Sequence, residues 1–292
     1  MKVWIDGQVR EPENARISVM DHGLLYGDGV FEGLRVYNGR VWRIDRHLER
    51  LQGSARALGL EIPGGLGRVR AVILETVAAF LEPETEATGG QAYIRLLVTR
   101  GEGPLGIDPF SCKEPRLICI VAALDLFPPD SLERGISLIT SSFRRANPDV
   151  LDPGVKSLNY LTSVLAKREA RLAGADDSIL LNDRGRVAEA SAANLFAVKR
   201  GRVLTPPVEE GALDGVTRET ILELAREQGL HCSEQALTRT HLLAADEIFL
   251  TGTGARLVPV RSLDSVEIPG PVPGPITRQL DASFRERVSR EV

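Results

Sequence analysis

Val187-Ala188-Glu189-Ala190-Ser191-Ala192-Ala193-Asn194-Leu195-Phe196-Ala197-Val198 opens a segment that closes at Gly215-Val216-Thr217-Arg218-Glu219. Its first part reads as a strand carrying one carboxylate, Glu189, among small residues. Its last part reads as the start of a helix. A helix start with glycine and threonine offers free backbone N–H groups, a hydroxyl and the positive end of a dipole to an anion. A carboxylate beside a pyridine nitrogen keeps that nitrogen protonated, because an opposite charge within ~4–6 Å favours the charged form. Acid and anion cradle together point to a ligand with a basic ring and a phosphate. Taken singly, each has a plainer reading: a strand glutamate facing water, and an ordinary helix cap.

Working outward, Thr251-Gly252-Thr253-Gly254 is a second small polar loop after a strand, also suited to a phosphate. Lys156 lies at a loop–helix junction in Asp152-Pro153-Gly154-Val155-Lys156-Ser157-Leu158-Asn159-Tyr160. A lysine amine forms Schiff bases with carbonyl cofactors, although most lysines are solvated surface charges. Tyr160, four residues on, can touch the same ligand.

The chain has 292 residues, 43% hydrophobic and 26% charged, with net charge −4. That balance belongs to a globular protein long enough for two domains. No basic block with interleaved aromatics is present, which argues against a nucleic-acid partner. The apolar run Leu117–Leu124 is too short to span a bilayer, and the N-terminus lacks the apolar core of a signal peptide. Cys112, Cys119 and Cys232 form no C-x-x-C and read as buried free thiols in a reducing cytoplasm. The four histidines show no metal-ligand spacing, so no metal is expected.

Periodicity and turn chemistry place the elements. Lys2–Arg10 is a hairpin about Asp6-Gly7, and Leu34–Ile44 a second about Asn38-Gly39. Between them, Tyr26-Gly27-Asp28-Gly29-Val30-Phe31-Glu32-Gly33 does not have dinucleotide-loop spacing. It reads either as a bend bringing backbone close to a ligand or as a tight structural turn. Helices are predicted over Asp45–Leu58, capped by Asp45, and over Leu66–Leu81. Arg50 lies off the first helix's apolar stripe and reads, by itself, as solvated. Gln91–Arg100 is a strand with Ala92, Ile94, Leu96 and Val98 on a core face. Tyr93, Arg95, Leu97 and Thr99 share the other face, where the tyrosine and arginine suit a carboxylate or hydroxyl ligand or else stack at the surface. Arg116–Leu124 is a central strand. The domains divide as 1–126, a linker at 127–134, and 135–292. In the second, strands are expected at Ile136–Ser141, Asp177–Leu181, Val187–Val198 and Glu247–Leu250. An irregular loop covers Arg144–Val155, and helices cover Asn159–Ala173, Val216–Gln228 and Ile276–Val288.

These residues resemble the class IV, fold type IV, pyridoxal-phosphate aminotransferases. The likeness rests on Glu189-x-Ser191-x-x-Asn194-Leu195-Phe196, then Val203-x-Thr205, then Leu213-x-Gly215-Val216-x-Arg218. It extends to Tyr26–Gly33, His47-x-x-Arg50-Leu51, Lys156-x-x-Asn159-Tyr160 and Thr251-Gly252-Thr253. The resemblance implies an α/β (α+β) two-domain fold, with pyridoxal 5'-phosphate between a smaller N-terminal α/β domain and a larger C-terminal domain. It implies a cytoplasmic homodimer, or a higher homo-oligomer built from it, whose partner chain completes the pocket. Lys156 resembles the Schiff-base lysine and proton shuttle. Glu189 is similar to the pyridine-nitrogen partner, and Tyr160 to the partner of the ring hydroxyl. Arg50, Val216, Thr217 and Thr253 resemble the phosphate clamp, and Asn194 belongs to the cofactor-binding signature. Amides at Thr253 and Gly254 resemble a substrate carboxylate site.

Within that family, Phe31-Glu32-Gly33-x-Arg35 and Tyr93-Ile94-Arg95 are similar to the branched-chain amino-acid aminotransferases. That likeness implies a substrate pocket around Tyr26, Phe31, Gly33, Arg35, Tyr93 and Arg95. Amino-acid and 2-oxo-acid substrates would alternate there. D-amino-acid transaminases carry an Arg-x-His trap where this chain has Leu105-Gly106-Ile107. Aminodeoxychorismate lyases have threonines at Glu32-Gly33. An (R)-amine transaminase and a non-catalytic pyridoxal-phosphate-binding or scaffold protein are the other readings.

Overall fold

In the computed structural model, residues 1–123, 130–147 and 149–292 are described, with side chains left out for 83–87. The chain is a mixed α/β protein with two sheets. Two units divide it: Met1–Leu124 with Val155–Asn159 and Val288–Val292, and Asp125–Gly154 with Tyr160–Arg287.

The first unit is built on a six-stranded antiparallel sheet. Its strands are β1 (Lys2–Ile5), β2 (Gln8–Arg10), β3 (Gly29–Tyr37), β4 (Arg40–Val41), β5 (Ala92–Thr99) and β6 (Arg116–Ala122), in the order β2-β1-β6-β5-β3-β4. The alternation predicted for β5 is present: Ile94, Leu96 and Val98 are fully buried. They meet Val30, Leu34 and Val36 of β3 and the apolar stripes of α2 (Ile44–Ala57) and α3 (Gly65–Thr88). Each such side chain contributes about 1.5–3 kcal/mol by leaving water.

The structure corrects three local readings here. The Tyr26–Gly33 segment is not one bend, because α1 (His22–Tyr26) ends at left-handed Gly27 and β3 begins at Gly29. From Gly29 to Gly33 the chain pairs with Thr99 to Arg95. A Cβ at Gly33 would meet the Tyr93 hydroxyl, so a larger residue there would have to displace that ring. Asp45 lies in the first turn of α2, and Arg43, at φ 47°, is its N-cap. α3 continues past Leu81 to Thr88; apolar periodicity reports where a helix is buried, not where it ends.

The second unit holds the larger sheet, with α4 (Ser131–Arg134) inside the expected linker, whose residues 127–129 lie outside the described ones. Its strands are β7 (Ile136–Arg144), β8 (Asp177–Leu181), β9 (Val187–Ala190), β10 (Asn194–Lys199), β11 (Arg202–Thr205), β12 (Cys232–Glu234), β13 (Glu247–Gly252), β14 (Arg256–Leu263) and β15 (Val266–Glu267). The order is β12-β11-β10-β13-β14-β7-β8-β9, with β15 on β14. The helices are α5 (Leu161–Leu172), α6 (Val216–Glu227), α7 (Arg239–Leu243) and α8 (Pro275–Glu291), whose last residues belong to the first unit. β7 runs on to Arg144, into the expected loop, and β14 is a strand where none is expected from the sequence.

The decisive correction is that Val187–Val198 is two strands. Ser191-Ala192-Ala193 bends the chain, with Ala190 N donating to Ala193 O at 2.8 Å. The Ser191 hydroxyl donates to Asp177 Oδ1 at 2.6 Å, fixing the bend against β8. β9 then pairs with β8 and β10 with β13.

One side chain secures the helix that carries His47, Arg50 and Ser54. Arg100, 8% exposed, forks onto Asp28 through Nε at 2.8 Å and Nη2 at 3.1 Å. Its Nη2 and Nη1 also donate to the carbonyls of Leu58 and Gly59, each at 2.8 Å, where α2 ends. Removing one partner of a buried ion pair costs about 3–5 kcal/mol. Arg100→Met is therefore expected to lower unfolding free energy in denaturant titration by about 3 kcal/mol or more. A loss below about 1 kcal/mol would remove this anchoring role.

Candidate active site

In the second unit, the β9–β10 bend brings three candidate groups together. Glu189 sits on β9, 5% exposed. Its Oε2 accepts from Asn194 Nδ2 at 3.2 Å and from the Leu213 N–H at 3.0 Å. Asn194 Nδ2 also donates to the Leu213 carbonyl at 2.8 Å. The Asn194 carbonyl oxygen packs where a side chain on Gly215 would stand, so any larger residue at 215 would have to displace Asn194. Asn194 thus ties the acid to the turn that starts α6.

That helix start is open to an anion. Gly215 caps α6 with no side-chain hydrogen bond. Thr217 is 3% exposed, and its hydroxyl is buried without a partner among the described residues. The hydroxyl of Thr251, whose residue pairs with Asn194 across β13 and β10, is also buried and unpartnered among them. Unsatisfied buried groups are rare and call for an explanation such as a bound ligand. Thr253 and Gly254 lie in the turn between β13 and β14, closed by Ala255 N donating to Gly252 O at 3.1 Å. Tyr160 is the N-cap of α5.

In the first unit, Lys156 is placed by backbone pairing. Phe31 N donates to Lys156 O at 3.0 Å, and Leu158 N to Gly29 O at 2.9 Å. Ser157 bridges Val30, so this short segment lies beside the start of β3. The Lys156 N–H donates to the Ser54 hydroxyl of α2 at 3.1 Å. Its ammonium then lies 4.4 Å from the centre of the Phe31 ring. The Arg95 guanidinium is 4.6 Å from the same ring and 5.6 Å from that of Tyr93. Strand alternation puts Phe31, Gly33 and Arg35 on one face of β3. Their register partners on β5 include Arg95 and Tyr93.

Two further substrate candidates have partners within this unit. Tyr26 stands edge-on to His22, and its hydroxyl accepts from Gly106 N at 2.9 Å. Arg35 donates to Gln91 Oε1 at 3.3 Å and lies over Tyr37. Arg50 is not a solvated helix arginine. It forks onto Glu32 through Nε at 2.7 Å and Nη2 at 2.8 Å, and His47 Nδ1 meets the same carboxylate at 2.8 Å.

Three residues have no site role in the sequence reading, although Glu32 and His47 stand in its motifs. Glu32 occupies the core register of β3 between Val30 and Leu34, and a glutamate in an apolar register is a legible signal. His47 follows from it. Arg145 left no signal: it donates to the Gly211 carbonyl at 3.0 Å and meets Glu189 Oε1 at 2.9 Å.

The remaining features lie apart. A cavity of about 1120 Å³ in the first unit is lined by Trp4, Asp6, Arg68, Lys113 and Arg116, and by none of the candidate residues. Cys119 is buried, with its thiol pushed up to about 12 by burial. Cys112 and Cys232 are free but only half-buried, against the expectation of buried thiols. Among the described residues, no three His, Cys, Asp or Glu are grouped to hold a metal, and no helix is long and apolar enough to cross a membrane.

Comparison with known proteins gives one family. The model described as amino-transferase class IV matches residues 29–263. A Methanocaldococcus jannaschii protein provisionally named a branched-chain-amino-acid aminotransferase is 45% identical, covering 98% of this chain and 96% of its own. The crystal structure of the Thermoproteus uzoniensis branched-chain aminotransferase with norvaline superposes with a TM-score of 0.87. It is 34% identical and covers 98% of this chain and 93% of that one. A Bacillus licheniformis D-alanine aminotransferase is 32% identical, over 100% of this chain and 98% of its own.

The unpartnered Thr217 hydroxyl gives a test with opposite signs in two measurements. Thr217→Val keeps the shape and removes the buried polar atom. Without ligand, stability should be unchanged or rise by up to about 1 kcal/mol. On the expectation that Thr217 belongs to a phosphate clamp, the dissociation constant for pyridoxal phosphate should rise about tenfold, the weight of one hydrogen bond to a charged group. A destabilised protein with unaltered affinity would contradict the assignment.

Proposed function

The chain belongs to the class IV aminotransferases, and from that premise we propose that it carries the amino group of an L-branched-chain or other apolar amino acid to 2-oxoglutarate, with pyridoxal 5'-phosphate as cofactor. The observation that carries this reading is the Asn194 link between the Glu189 carboxylate and the uncapped start of α6, beside the buried Thr217 hydroxyl. Those groups suit a pyridine nitrogen and a phosphate. The pyridoxal ring, when bound, supplies an electron sink for the substrate α-carbon.

The chain's own residues do the rest. Asn194, Leu213 N–H and Arg145 orient the two oxygens of Glu189, which would hold a proton on the ring nitrogen. Val216, Thr217, Thr253 and Arg50 would hold the phosphate, and Tyr160 would bind the ring hydroxyl. Lys156 Nζ is the amine that would hold the cofactor and accept the proton leaving the substrate α-carbon. Amides at Thr253 and Gly254 receive the substrate carboxylate.

Specificity lies on the outer face of β3 and β5. Phe31, Gly33 and Tyr93 offer an apolar surface, and Arg95 lies against both aromatic rings. An apolar surface with a cation at its edge accepts a branched side chain in one half of a ping-pong cycle and the distal carboxylate of glutamate in the other. Tyr26 and Arg35 complete the pocket, and the working form is a homodimer. Similarity to a D-alanine aminotransferase makes D-amino acids the necessary comparison. Leu105 and Ile107, both exposed, supply no cation for a reversed carboxylate, which favours the L-series.

Two outcomes are expected. Lys156→Ala should bind pyridoxal phosphate yet form no borohydride-stable adduct on the protein, and turnover should fall by at least about a thousandfold; unchanged turnover would overturn the mechanism. Arg95→Ala should raise KM for 2-oxoglutarate about tenfold more than KM for an apolar 2-oxo acid, the weight of one charge-assisted contact. Equal effects on both would remove Arg95 from substrate reading.

A further inference from the structure

Glu32 is a carboxylate where the fold calls for an apolar side chain. It lies on the core face of β3 between Val30 and Leu34, and all three are fully buried. A charge in that register is costly unless it is paired and hydrogen-bonded, and a well-packed apolar residue would hold β3 against α2 at least as well. Stability alone therefore does not explain Glu32.

Its partners suggest what does. Oε1 accepts from Arg50 Nε at 2.7 Å, while Oε2 accepts from Arg50 Nη2 at 2.8 Å and from His47 Nδ1 at 2.8 Å. Two parallel bonds from one edge of a planar guanidinium fix both its rotation and its plane. The opposite edge, at Nη1, must then point away from the carboxylate. The Arg50 side chain is 14% exposed and that of Glu32 is 0% exposed, so the locked group runs from the core outward. Burial pulls the Glu32 carboxyl up, but the Arg50 charge and the bonds from Arg50 and His47 outweigh it and hold it well below the ordinary range. Burial, with the nearby Arg50 and Lys156 charges, moves His47 down despite Glu32. An ionised carboxylate can only accept, so the imidazole proton sits on Nδ1. His47 Nε2 is left buried without a partner among the described residues. His47 thus satisfies the carboxylate without adding a second cation.

We propose that Glu32 is a positioning residue for cofactor binding: its buried carboxylate sets the plane and outward edge of the Arg50 guanidinium so that Arg50 meets the cofactor phosphate. This rests on the reading of Arg50 as part of the phosphate clamp. Glu32 neutralises Arg50, so bare electrostatics would have its removal strengthen phosphate binding. Positioning requires the reverse.

The test measures dissociation constants of pyridoxal phosphate and of phosphate-free pyridoxal for the apo-protein and its variants. Glu32→Gln should weaken pyridoxal phosphate about tenfold or more and leave pyridoxal unchanged. In an Arg50→Met background, Glu32→Gln should cause no further loss, because the first residue acts through the second. Arg50→Lys, which keeps the charge but loses the fork and leaves Glu32 its cation, should reproduce the loss even where Glu32→Gln does not fold. Tighter or unchanged phosphate binding in Glu32→Gln, equal loss of pyridoxal, additive losses in the double variant, or full affinity in Arg50→Lys would each overturn the proposal. Unchanged affinity in Arg50→Met would instead remove Arg50 from the clamp, and the proposal with it.

Discussion

Asn194 holds one amide nitrogen between the Glu189 carboxylate and the Leu213 carbonyl, and its carbonyl oxygen lies against Gly215. Few contacts in the molecule constrain so much. β9 carries Glu189 and α6 carries Thr217, and the two elements are separated in sequence by two strands and a short 3-10 helix. Without a fixed link, the acid and the helix start would each be adjustable. With it, a ligand that engages one has the other at a set distance. Gly215 is part of the same constraint, because a Cβ would push Asn194 away and break both hydrogen bonds.

The first unit solves a parallel problem with the opposite means. There a buried carboxylate, Glu32, faces a cation instead of an amide, and His47 completes its shell. α2 carries His47, Arg50 and Ser54 on neighbouring turns. Through Ser54 it also fixes the Lys156 backbone, and Arg100 secures its last turn. One helix therefore sets both the Arg50 guanidinium and the backbone position of Lys156. The other face of β3 and β5 is left to Phe31, Tyr93 and Arg95, away from that support.

Much of this is legible from residue pattern. Alternation locates β5 and its core face because one side is wholly apolar, and turn dipeptides locate both N-terminal hairpins. The helix start at Val216 is legible because glycine and threonine have few other reasons to precede an amphipathic stripe. The break at Ser191–Ala193 is not, since small residues read equally well as strand. What divides β9 from β10 is a long-range contact, Ser191 to Asp177, which no local window contains. Arg50 reads as solvated because its partner lies 18 residues away on another element. Arg145 falls in a stretch that reads as irregular loop, and its contact with Glu189 is equally non-local. In each case, the missed feature is a polar tertiary contact.

The most direct test of the whole account is the half-reaction without an acceptor. Purified protein loaded with pyridoxal phosphate is mixed with L-leucine, and absorbance and 2-oxo acid are followed together. The account predicts loss of the yellow band and release of one 4-methyl-2-oxopentanoate per bound cofactor, with 2-oxoglutarate restoring the colour and D-leucine inert. An unchanged spectrum with no 2-oxo acid formed would contradict it.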